Sequence, residues 1–255
     1  IRRPPRSTPK PSSAASDVYK RQTLDDVDRR KDMIAKYDQA FGGFAKEDKI
    51  LAGMDEFSAK AYQMMRSTKA REAFDLTKES AGINSLFDEQ PFSQSCLLAT
   101  RLVESGVKFV TLNLGGWDTH RDNWNSLKNR NLPALDAGLS GLFSALEEKG
   151  LLDSTSVFVT GEFGRTPKIN QRVGRDHYPR AMFCLMAGGG MKRGYIHGAS
   201  DPTGSEPDED PVSVPDWAAT VYTLMGIDPH RRLVGPGNRP MPINYDGEVI
   251  KDALA

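Results

Sequence analysis

The chain has 255 residues, with 34 Lys+Arg against 34 Asp+Glu and 38% apolar residues, the make-up of a soluble globular chain long enough for one large domain or two small ones. A net charge of zero argues against a chain-wide nucleic-acid or membrane-surface role, and no apolar run approaches the roughly 18–20 residues a transmembrane helix needs. Cys96 and Cys184 cannot make a disulfide framework; both lie in apolar runs and are expected to be buried free thiols.

The zero is unevenly spread. Residues 1–22 hold six Lys/Arg against one Asp, with four prolines and four serines, so they cannot bury enough apolar surface to offset their ordering entropy. They are expected to form a disordered tail. No apolar stretch of signal-peptide length follows. The string resembles translated sequencing-adaptor sequence, so it is set apart from the fold, and the native chain is expected to enter near Thr23, partway through a longer protein. After residue 22 the balance is 28 Lys+Arg against 33 Asp+Glu, a mildly acidic body that leaves room for a cation and removes the case for a nucleic-acid arm.

From Leu24 to Phe41, Leu24, Val27, Ile34, Tyr37 and Phe41 recur at helical spacing among charges, predicting an exposed amphipathic helix. A second helix is expected from Met54 to about Lys69, with Phe57, Ala61, Met64 and Met65 inward. Cys96–Val103 reads as a buried helix stopped by Gly106, and Val107–Leu114 (VKFVTLNL) as an interior parallel strand, apolar on both faces. Leu132, Leu135, Leu139, Leu142, Phe143 and Leu146 mark a helix ending at Gly150, and Ser156–Thr160 a second strand. Strand, helix and strand in this order predict a right-handed βαβ unit. A third strand is expected over Ala181–Ala187, and a helix opened by a Ser213-x-x-Asp216 capping box and closed by Gly226 carries Trp217, Val221, Leu224 and Met225. The predicted architecture is α/β, with a mostly parallel sheet between helical layers.

In open α/β sheets ligands bind beyond the carboxyl ends of the strands, so the polar residues there carry the most weight. Asp118 and His120 follow the first expected strand, Glu162 follows the second, and Asp176-His177 precedes the third. Carboxylates and imidazoles without a thiolate suit a divalent metal such as zinc, magnesium, calcium or manganese. Arg165, in a glycine-bounded loop beside Glu162, has the fork geometry for a phosphate or sulfate, or else neutralises the neighbouring acids. His197 and His230 read as loop residues. A Rossmann-like nucleotide binder is disfavoured because no Gly-x-Gly-x-x-Gly follows a strand.

The stretches ATRLVESGVKFVTLNLGGWDTHRDN, VFVTGEFGRTP, GRDHYP and PDWAATVYTLMGID resemble the C-terminal half of a bacterial family, domain of unknown function 1501. That family is similar to sulfatases within the alkaline-phosphatase-like superfamily. The resemblance implies an alkaline-phosphatase-like core over 23–255, truncated at its N-terminus. It implies paired divalent metals acting on a small-molecule or polysaccharide sulfate or phosphate ester, and export from the cytoplasm. It assigns Asp118, His120 and His177 to one metal, with Asp176 beside them, and Glu162 to a second. Phe163 stands where the superfamily has a metal-binding histidine, and no segment resembles the half that carries the nucleophile. The chain is therefore expected to be a C-terminal part of a metal-dependent hydrolase, inactive alone. The alternative is a non-catalytic relative that keeps the fold for binding.

Overall fold

The computed structural model describes residues 67–255 and, before them, residues 25, 26, 28, 29, 32, 33, 57, 59, 60 and 63. The chain divides into two units, Ile1–Glu72 and Ala73–Ala255. In the first, the described positions from 25 to 33 are helical, as the spacing predicts, and Arg29 pairs with Asp26 one turn earlier. The tail 1–22 and the apolar positions Leu24, Val27, Ile34, Tyr37, Phe41, Ala61, Met64 and Met65 lie outside the described residues. Phe57, expected inward, is exposed.

The second unit is organised around two helices, α1 (Pro91–Glu104) and α2 (Leu132–Glu148). α1 starts earlier than Cys96 because Pro91 suits a first turn, where its missing N–H would have had no helical partner. It stops at Gly106, whose φ of 97° is the left-handed conformation glycine tolerates. The two helices share a core of Cys96 and Leu97 from α1 and Leu142, Ala145 and Leu146 from α2, joined by Ile83 and Phe87. Burying a leucine of this kind stabilises the fold by about 1.5–3 kcal/mol. Glycine on α2 permits the approach: a Cβ on Gly138 would stand 2.5 Å from the Phe92 ring, and one on Gly141 would stand 2.7 Å from the Leu86 carbonyl oxygen. Cys96 is fully buried as expected, whereas Cys184 is exposed.

The expected parallel sheet does not form. Among the described residues the strands pair as four two-stranded antiparallel ladders: β1 (Ser156–Val159) with β4 (Leu185–Gly188), β2 (Gly164–Arg165) with β3 (His177–Tyr178), β5 (Ala199–Ser200) with β6 (Pro207–Glu209), and β7 (Arg232–Gly235) with β8 (Arg239–Pro242). This overturns the α/β, mostly parallel, alkaline-phosphatase-like core. The physical reason lies in Val107–Leu114, which has no backbone ladder bond to any described strand; its Val107 N–H turns back to the Leu102 carbonyl. Phe109 projects into solvent at 64% exposure, while Leu112 packs on the helical core. The run is apolar because one side rests on helices, not because both sides are covered by a sheet. α2 correspondingly lies on α1 instead of crossing over a strand pair. The third expected strand begins only at Leu185 and returns antiparallel to β1.

The capping box is present. Ser213 Oγ accepts from the Asp216 N–H at 3.1 Å, and Asp216 accepts from the Ser213 N–H at 2.8 Å, opening α3 (Val214–Leu224). Trp217 meets Phe158 of β1 edge-on, with ring centres 6.2 Å apart. No helix among the described residues is long and apolar enough to cross a membrane.

Candidate metal centre

The short ladder β2–β3 sets Arg165 directly opposite His177, so both side chains leave the same face. Gly164 is required there, because any Cβ would run into the Ala181 carbonyl. Asp118 and His120 come from the loop after Leu114, which three contacts hold against the connection between β2 and β3. The Arg175 N–H donates to the Thr119 carbonyl at 3.1 Å, Asn170 Nδ2 donates to the His120 carbonyl at 3.0 Å, and Gly174 lies so close under the His120 backbone that a Cβ would collide with it. Further back, buried Asn131 donates to the Gly116 carbonyl at 2.7 Å, fixing a glycine with a φ of 93°.

Among the described residues, Asp118, His120 and His177 form the one group of His, Cys, Asp and Glu side chains whose ligand atoms converge. Asp118 Oδ1 lies 2.8 Å from His177 Nε2 and 2.9 Å from His120 Nε2, and the two Nε2 atoms are 3.2 Å apart. Ligands about 2.1 Å from one ion stand about 3.0 Å apart at right angles and about 3.4 Å apart at tetrahedral angles, so this spacing fits a shared cation. The protonation pattern fits as well. His120 Nδ1 is 2.5 Å from Asp176 Oδ1, and since a carboxylate has no hydrogen to give, a neutral His120 places its only N–H there. Its Nε2 lone pair then faces Asp118 and His177, an arrangement that a cation among the three atoms resolves. Two imidazoles and one carboxylate suit zinc, manganese or ferrous iron better than magnesium or calcium, which favour oxygen ligands.

The surroundings keep Asp118 ionised. The hydrogen bond from His177, then the 2.8 Å bond from Arg165 Nη1, with the Arg165 charge behind them, outweigh slight desolvation and hold its pKa at about 2 instead of 3.8. Asp176 is also lowered, by its bond to His120 and then by Asn170. The Phe163 ring lies 4.5 Å from that of His177, and the Arg165 guanidinium is 5.9 Å from the Phe163 ring centre. The site is open: the Asp118 side chain is 65% exposed and that of His177 51%.

Five residues were expected as ligands, and the structure sorts them. Asp118, His120 and His177 converge; Asp176 sits behind His120 on its other ring nitrogen; Glu162 is exposed and stands outside the triad. Arg165 reaches the site through Asp118. Among the described residues His197 meets Tyr195, with its Nδ1 3.3 Å from the hydroxyl, and His230 is exposed in a loop. Asn170 escaped sequence reading, although an Asn four residues before a glycine in a polar loop is a turn signal. Neither a curated protein nor a solved structure matches the chain. A family model described as "Protein of unknown function (DUF1501)" matches residues 4–254, and the chain belongs to that family.

Proposed function

We propose that this chain carries the divalent-cation site of a sulfatase-like hydrolase acting on sulfate or phosphate esters. The observation that carries the reading is the convergence of Asp118 Oδ1, His120 Nε2 and His177 Nε2 within 3.2 Å of one another. A cation bound there supplies positive charge to an ester oxygen. Asp118 would hold it as a carboxylate, and His120 and His177 through their Nε2 lone pairs. Arg165 spends one N–H on Asp118, and the rest of its fork suits the remaining oxygens of a sulfate or phosphate group. Phe163 backs both His177 and Arg165.

Among the described residues, the two threonine hydroxyls beside the site are already engaged. Thr119 Oγ1 is bonded to Asn123, and Thr166 Oγ1 accepts from the Asp176 N–H and donates to the Lys168 carbonyl. Burial pushes the Cys96 thiol up to about 11, which leaves it inert. The chain by itself is expected to bind a cation without turning over an ester. A non-catalytic binding role is the second reading; the open exposure of Asp118 favours it, because hydrolytic sites gain from excluding water. Action outside the cytoplasm belongs to the same proposal.

The test is elemental analysis of the purified chain, calorimetric titration with Zn²⁺, Mn²⁺, Mg²⁺ and Ca²⁺, and assay with p-nitrophenyl sulfate and phosphate. Cation binding that is lost in Asp118→Asn and His177→Ala supports the site. Absence of binding by all four ions overturns it, and measurable turnover overturns the inactivity of the chain alone.

A further inference from the structure

We propose that Asp176 and Asn170 are a positioning pair for the cation site, holding His120 with its hydrogen on Nδ1 and its Nε2 lone pair turned toward Asp118 and His177. The inference rests on the cation reading above and reassigns Asp176, whose sequence position beside His177 suggests a ligand. Asp176 Oδ1 meets His120 at Nδ1, 2.5 Å away, whereas the atom that faces Asp118 and His177 is Nε2. A carboxylate on the far nitrogen of a metal-binding histidine selects the tautomer and fixes the ring plane.

Asn170 makes the arrangement rigid. Its Oδ1 accepts from the N–H groups of Arg172 at 2.9 Å and Gly174 at 3.0 Å, so the orientation of its amide is set by two donors that can only donate. Its Nδ2 therefore faces the other way, 3.2 Å from each Asp176 oxygen and 3.0 Å from the His120 carbonyl. One amide thus ties the backbone of His120 to the carboxylate that holds its ring. Asp176 is in turn held to Thr166, the residue after β2, through its main chain: its N–H donates to Thr166 Oγ1 at 3.1 Å, and its carbonyl accepts from the Thr166 N–H at 2.9 Å.

The experiment pairs two readouts on the full chain: nitrogen-15 NMR of the His120 ring in the metal-free protein, assigned with a His120→Gln variant, and Zn²⁺ affinity by calorimetry. The wild type is expected to show the Nδ1–H tautomer. Asp176→Asn, whose amide can donate to Nδ1 and displace the hydrogen to Nε2, is expected to show a mixed or reversed tautomer and Zn²⁺ affinity lower by about 10–100-fold. Asn170→Ala is expected to lose affinity in the same direction, and it serves as the second variant if Asp176→Asn does not fold. An Nε2–H tautomer in the wild type overturns the proposal without any variant. Folded variants with unchanged tautomer and Zn²⁺ affinity within threefold of wild type also overturn it, while leaving the cation site standing. A wild type that binds no Zn²⁺, Mn²⁺, Mg²⁺ or Ca²⁺ overturns the cation reading itself.

Discussion

Arg165 and His177 stand opposite each other on the β2–β3 ladder, and each places a nitrogen 2.8 Å from the same oxygen, Asp118 Oδ1. The shared contact lowers the pKa of Asp118 from 3.8 to about 2. A carboxylate lowered in this way favours the folded cluster above its ordinary pKa and loses that preference as pH falls through about 2. In the metal-free chain, NMR titration of the Asp118 carboxyl carbon should have its midpoint near 2, and Arg165→Ala should move the midpoint back toward 3.8. Because Asp118 is widely exposed, Asp118→Asn should lower the thermal midpoint of the metal-free chain only slightly while removing cation binding.

Gly174 supports the same site from beneath. A methyl group there would overlap the His120 carbonyl group and the Arg121 nitrogen, which are main-chain atoms and cannot rotate away. Gly174→Ala should therefore shift the His120 backbone and weaken Zn²⁺ binding by at least tenfold, with the circular dichroism of α1 and α2 preserved. Retained affinity would show that the loop can slide without cost.

A separate ion network fastens the segment before α1 to the helix pair. Glu79 Oε2 meets Arg101 Nη1 at 3.0 Å, and Glu79 Oε1 meets Lys149 Nζ at 3.2 Å, with the Glu79 side chain only 5% exposed. Burial opposes the Glu79 charge, but the Ser80 N–H, Lys149 and Arg101 outweigh it and lower the pKa. Burial likewise opposes the Lys149 charge, and Glu104 and Glu79 outweigh it and raise the pKa. The Glu79 contribution is thus present above the ordinary carboxylate pKa and lost as pH falls through the lowered value. That of Lys149 is present below the ordinary lysine pKa and lost as pH rises through the raised one. Glu79→Gln should cost about 2 kcal/mol at pH 7, measured by urea unfolding, and the difference from wild type should shrink at pH 3.

How much of this was legible in the sequence depends on how local each feature is. The helices Leu132–Glu148 and Val214–Leu224 were readable because a 3.6-residue stripe, a Ser213/Asp216 box and stopping glycines lie within one stretch of chain. Strand direction was not readable: Ser156–Val159 is a strand by composition, yet its antiparallel partner begins 26 residues after it ends. The site divides in the same way. Residue types and loop positions pointed to Asp118, His120 and His177, but composition cannot say which ring nitrogen of His120 faces Asp176, nor that Glu162 falls outside the triad.

The α1–α2 seam gives a stability test that leaves the metal site untouched. Alanine would raise the helix propensity of position 138 by about 1 kcal/mol, but its methyl group would press on the Phe92 ring and stand 3.2 Å from Cys96 Sγ. Overpacking of this kind costs about 1–3 kcal/mol, so the clash should prevail. Gly138→Ala should lower the thermal midpoint by several degrees, at about 2–4 °C per kcal/mol, with Zn²⁺ affinity unchanged.

The run Val107–Leu114 provides the sharpest test of the revised fold. An interior parallel strand would make both of its faces costly to change. The structure instead leaves Phe109 64% exposed and sets Leu112 against the helical core. Phe109→Ser should therefore change stability by less than about 0.5 kcal/mol. Leu112→Ala removes half-buried methyl groups from a packed contact and should cost about 1–2 kcal/mol, below the range for a fully buried leucine. Urea unfolding of the two variants side by side decides the point, since equal and large losses would restore the two-sided strand.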